Sequence, residues 1–311
     1  MDRSLLVGTS SGLYELNGGS PELDPALGAR DVTALDVSDG VVRAVVDRRV
    51  IVARDASGTW PELARSDELA IDCLLPTPNG LLAGTDEAHV LRLGDDGALE
   101  LDEAFETIDG RDAWYTPWGG PPAVRSMALD LAGRIHANVH VGGIPRSIDG
   151  GKSWEPTIEI DADVHQVIAH PTEPDVVLAA GAVGLAISEN GGTSWRIEHD
   201  GLHSRYSRAV AVVGDTILLT AATGPHGGRG AVYRVPMEGV AFDKCVEGLP
   251  EWFDGNIDSG WLTAAGSTAA FGTSDGDVFV SEDEGVTWER AAGGLPPIRI
   301  LSFGAPLGAD A

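Results

Sequence analysis

Short apolar stretches separated by Gly, Pro, Asn and Asp recur along the whole chain, from Leu5-Leu6-Val7-Gly8 to Ile298-Arg299-Ile300-Leu301-Ser302-Phe303. Brief apolar runs bounded by turn residues predict many short β-strands and few helices. The longest apolar run, residues 176–187, is broken by Gly181 and Gly184. It falls short of the roughly 20 residues that a membrane-spanning helix needs.

A turn motif punctuates these strands. Residues 147–154, 188–195 and 281–288 each place Ser, then Asp149, Asn190 or Asp283, then Gly, then Trp154, Trp195 or Trp288 at matching offsets. A fourth copy keeps the spacing from Asp55 to Trp60, and weaker equivalents fall at Asn17, Asp95 and Met237. Consecutive positions lie 38 to 54 residues apart, about the length of a four-stranded propeller blade. Seven such units tile the chain. The terminal pieces are complementary, because residues 298–303 read as an innermost strand without a blade and residues 4–23 as a blade without that strand. The expectation is one all-β domain, a seven-bladed β-propeller of four-stranded antiparallel blades, with six or eight blades as alternatives. Approximate blades are 298–303 with 4–23, then 31–64, 70–101, 123–158, 163–200, 207–248 and 257–293. The C-terminal strand closes the ring and removes its sheet edges.

The box chemistry is architectural: an Asp or Asn oxygen accepts backbone N–H groups of the turn it begins, Gly permits positive φ, and Trp supplies an apolar plate. These octapeptides resemble the Asp-box, or BNR, repeat. The chain is similar to single-propeller BNR-repeat proteins of bacteria and haloarchaea, related in architecture to sialidase, xyloglucan-hydrolase, sortilin-like and photosystem II assembly-factor propellers. The resemblance implies a propeller. It implies a glycoside hydrolase only loosely, since Ile144-Pro145-Arg146 inverts the sialidase Arg-Ile-Pro order and one propeller offers no cleft between two.

The boxes join the two outer strands, on the lower face. Longer loops fall on the other, upper face: residues 102–122 with Trp114, Tyr115 and Trp118; residues 200–206 with His203 and Tyr206; residues 249–258 with Trp252, Asp254 and Asp258; and residues 223–230 with His226. Aligning the innermost strands gives a column of Thr33, Asp72, Arg125, His165, Arg208, Gly260 and Arg299. Arg125, Arg208 and Arg299 are expected to converge at the upper channel mouth, where guanidinium groups suit a carboxylate, phosphate or sulfate. The expected ligand site adds His140, His165, His226, Trp114, Trp118, Tyr206 and Trp252. If the chain is an enzyme, a glycoside hydrolase or lyase, then Asp72, Asp254 and Asp258 are the carboxylates to consider. An assembly-factor or scaffold role is a further alternative.

Seven of the eight histidines lie between His136 and His226. His136 and His140, about 13 Å apart along a strand, cannot share an ion. His140, His165 and His226 could converge from separate blades, but no metal and no cofactor are expected. Cys73 and Cys245 imply no disulfide framework.

Charge alters the choice of partners. The chain has 48 acidic and 21 basic residues, a formal charge of −27, and Lys only at Lys152 and Lys244. This balance excludes general nucleic-acid binding, which needs a basic face. It fits a halophilic cytoplasm, where salt screens the repulsion between carboxylates. The Met-Asp-Arg-Ser opening shows no leader, so a cytoplasmic, membrane-free monomer is expected, with an anionic small molecule or a protein as partner.

Overall fold

The computed structural model describes residues 3–239 and 241–306. Twenty-eight strands form seven four-stranded antiparallel sheets, as the repeat predicts. The innermost strands are Ile298–Pro306, Val32–Ser38, Ile71–Thr77, Val124–Leu129, Val164–Ala169, Val210–Val213 and Leu262–Ala265, and blades are numbered one to seven in that order. Each lies against the innermost strands of both neighbours, so the ring is complete. Closure is by Ile298–Pro306 pairing antiparallel with Arg3–Thr9, with Leu5 opposite Phe303 and Val7 opposite Leu301.

Blades cohere through seven apolar clusters, one per interface. Leu178, Leu185 and Ile187 of blade five, for example, meet Val210, Leu219 and Tyr233 of blade six. Both faces of a blade are therefore covered. That explains why strands such as Val177–Gly181 and Gly184–Ser188 are buried throughout rather than alternating.

The box turns form as their chemistry dictates. Ser147 Oγ accepts the Gly151 N–H at 2.8 Å, and Asp149 Oδ1 accepts those of Lys152 and Ser153 at 3.0 and 2.9 Å. Gly151 sits at φ +90°, a region that favours glycine. The Ser153 hydroxyl and backbone N–H hold the Asp149 pKa down to about 2. Box tryptophans also reach the preceding blade. Trp60 Nε1 donates to Asp24 at 3.0 Å, Trp195 Nε1 donates to Thr157 at 3.3 Å, and Trp154 packs edge-on to Phe105 at 5.1 Å.

Two details depart from expectation. The 102–122 loop contains a helical turn, Glu103–Glu106, capped by the Asp102 carboxylate, and a 3-10 turn at Arg111–Ala113. In blade three the side chain accepting the turn N–H is Asp96, one residue beyond Asp95.

Candidate functional site

The second residue of most innermost strands escapes the ladder. Pairing slips by one residue at Thr33, Asp72, Arg125, His165 and Arg299, so each is the extra residue of a β-bulge. Bulges re-aim a side chain and commonly border functional sites. Arg208 lies just ahead of its strand, Val210–Val213.

Arg125 and Arg208 line a cavity of about 370 Å³ with Arg48, Asp72, Asp258 and Ser259. These residues come from innermost-strand starts and from the loops opposite the boxes, which places the cavity on the upper face. Its charges are mostly paired. Arg48 Nη2 meets Asp72 Oδ1 at 2.6 Å, and Arg208 Nη1 meets Asp258 Oδ2 at 2.7 Å. Arg208 Nη2 also donates to the Tyr206 hydroxyl at 3.1 Å and to the Pro225 carbonyl at 3.2 Å. Burial works against the Arg208 charge, but Asp258 and Tyr206 outweigh it and raise its pKa. Arg125 differs: among the described residues it has no hydrogen bond and no ion pair. Burial lowers its pKa, with Asp258 resisting and Arg208 adding to the fall. Asp72 is shifted upward because burial outweighs Arg48.

The pairing follows a rule. Arg208 of blade six binds Asp258, which leads into blade seven, and Arg299 of blade one binds Asp31, which leads into blade two, at 3.0 Å. The counterpart for Arg125 would be Asp163, leading into blade five. Asp163 instead faces His140 Nε2 at 2.9 Å and His165 Nε2 at 3.3 Å. Among the described residues, Arg125 is then the cavity arginine without a direct ion pair, while Asp258, Asp72 and Asp163 attract its charge from further away.

Beside the cavity runs a file of rings, Trp118, His140, His165 and Tyr206, with successive centroids 4.9, 5.4 and 4.9 Å apart. Trp118 is 59% exposed. The other expected site residues lie elsewhere. Arg299 is spent on Asp31 and does not line the cavity. Trp114 packs on Phe105 and under Arg111, and Trp252 is held by Arg229, Lys244 and His203. His226 is exposed beside Pro225, and Asp254 engages the 223–230 loop through its carbonyl, which accepts the Gly228 N–H. Sequence reasoning missed Arg48 and Asp163. Asp163 stands two positions before the aligned column, where Asp31 also stands; Arg48 occupies the loop equivalent to that of His140 in its own blade.

A larger cavity, about 490 Å³, opens at the opposite end of the channel and is lined mainly by aliphatic groups such as Ile168, Val212, Leu262 and Ile300.

No protein-family model and no curated protein matches the sequence. Solved structures share the fold at low identity. A putative 6-phosphogluconolactonase from Bacteroides uniformis aligns at 14% identity over 97% of this chain and all of its own, with a TM-score of 0.63. YCF48 bound to D1 peptide aligns at 14% over 100% of this chain and 91% of its own, with a TM-score of 0.58. An ancestral GH74 enzyme aligns at 15% over 83% of this chain, with a TM-score of 0.62; the chain spans only 38% of that enzyme's length. Proteins of such different character share the architecture, so these likenesses establish the seven-bladed β-propeller and no activity.

Proposed function

We propose that this chain is an Asp-box propeller that binds an acidic ligand, a small molecule or an acidic group of a protein partner, at its upper-face cavity. The observation that carries this reading is Arg125, a half-buried arginine that has no hydrogen bond or ion pair among the described residues and lines the cavity together with the paired Arg48–Asp72 and Arg208–Asp258. An incoming carboxylate or phosphate would supply the charge-assisted hydrogen bonds it lacks. Tyr206 and Trp118 offer flat apolar walls nearby. The YCF48 likeness makes a peptide carboxylate a natural probe.

Calorimetric titration in molar salt with inorganic phosphate, glucuronate, and a short peptide as free acid and as amide tests this. Binding of at least one anion is expected, weakened by Arg125→Ala by about 1.5–3 kcal/mol, the range for a hydrogen bond to a charged group. Binding unchanged in that variant would overturn the reading.

A glycoside hydrolase is the second reading. It is favoured by Asp72 and Asp258 lining one cavity and by burial raising the Asp72 pKa, the direction a general acid requires. Turnover of aryl glycosides that disappears in both Asp72→Asn and Asp258→Asn would replace the binding reading with this one.

A further inference from the structure

We propose that His140, Asp163 and His165 form a binding site for one divalent transition-metal ion at the seam between blades four and five. Two imidazoles and a carboxylate from the turn after Ile135–Val139 and the start of Val164–Ala169 present ligand atoms within 4.8 Å of one another. The neighbouring separations, 2.9 and 3.3 Å about Asp163 Oδ1, are those of adjacent ligands around an ion held at about 2.0–2.2 Å.

A second observation points to an occupant. His165 Nδ1 lies 2.6 Å from the Ser207 carbonyl, an acceptor only, so Nδ1 carries the proton. In the neutral ring Nε2 then offers a lone pair. That nitrogen belongs to a fully buried residue, faces the equally lone-paired Oδ1 of Asp163, and neither atom has a hydrogen-bond partner among the described residues. Two buried lone-pair atoms this close, with no well-directed hydrogen bond between them, are unfavourable unless a cation is shared by both. A backbone carbonyl fixing the far nitrogen of an imidazole is also the usual support for a metal-ligating histidine.

The donor set selects the metal. Imidazole nitrogens suit zinc, iron, cobalt, nickel or copper rather than magnesium or calcium. Three protein ligands leave at least one position open, and Asp163, a quarter exposed, shows the side from which solvent enters. Arg125 opposes a cation here; Asp163, with Asp258 and Asp72 further around the mouth, offsets it.

Full-length protein dialysed against a chelator and then titrated with Co(II) in molar KCl tests the site, since salt suppresses loose binding to surface carboxylates. Expected are one tight equivalent, ligand-field absorption of nitrogen-coordinated Co(II), and its displacement by Zn(II). His140→Ala and Asp163→Asn should each weaken binding by about a hundredfold or more, since even outer-shell changes cost up to about that. Absence of a stoichiometric site, or binding unaltered in both variants, would overturn the proposal. So would nitrogen NMR showing His165 doubly protonated at neutral pH in protein that takes up no Co(II), because an imidazolium–carboxylate pair would then explain the contact. Phosphate or peptide binding is not needed for any of these readouts, so this proposal and the anion-site reading fail separately.

Discussion

Ending the chain at Pro296 should abolish cooperative folding. The deletion removes the innermost strand of blade one, and with it the ladder to Arg3–Thr9. Ile298, Leu301 and Phe303 are 0%, 4% and 6% exposed, packed at the seam between blades seven and one. Full burial of each such side chain contributes about 1.5–3 kcal/mol, so their loss removes roughly 5–9 kcal/mol before the severed backbone pairing is counted. A typical domain has only about 5–15 kcal/mol of net stability. The deletion also leaves two open sheet edges, which invite association. A graded version is Phe303→Ala, expected to cost about 3–5 kcal/mol while keeping the ring closed. Urea unfolding followed by tryptophan fluorescence and far-ultraviolet circular dichroism, at molar salt to suppress charge repulsion, measures both. A truncated chain with the midpoint and slope of the intact one would show that the C-terminal strand does not hold the ring, and would refute the argument.

Net repulsion from 27 excess negative charges should make the melting temperature climb strongly between about 0.1 and 2 M KCl; a flat profile in calorimetry would remove the halophilic reading. Trp288→Ala, at a residue 3% exposed, should cost about 3–5 kcal/mol. The half-buried Trp154 and Trp195 should cost less, and none of the three should alter anion affinity in protein that remains folded. Acid should unfold the protein through depressed carboxylates. Burial opposes the Asp130 charge, but hydrogen bonds from His136 and Arg134 outweigh it and bring its pKa to about 2. Hydroxyls of Ser57 and Thr59 do the same for Asp55. With folded values below the unfolded value of about 3.9, their stabilisation is complete above that pH and is lost as pH falls from about 4 towards 2. Asp130→Asn should flatten that part of the stability curve, and denaturant melts at stepped pH would detect a curve left unchanged.

The amino-acid sequence by itself determined the architecture, because the information is local and repeated. A box turn needs only its own eight residues to close, as Ser147 with Gly151 and Asp149 with Ser153 show, and its recurrence counts the blades. Complementary terminal strands then leave only closure. Alignment also brought Arg125 and Arg208 into the lining of one cavity, since equivalent positions in a ring share one height. What alignment could not supply was which partner each charge would take. That depends on the side-chain direction set by bulges and on the residue leading into the next blade. Arg299 was lost to Asp31 on that account, and Trp252 to Arg229 and Lys244. Asp163 is the sharpest case. In sequence it is one acid among 48, two residues from His165 and over twenty from His140. Only the packing of blade four on blade five brings both imidazoles to its oxygen, and among the described residues Arg125 then has no carboxylate in direct ion-pair contact.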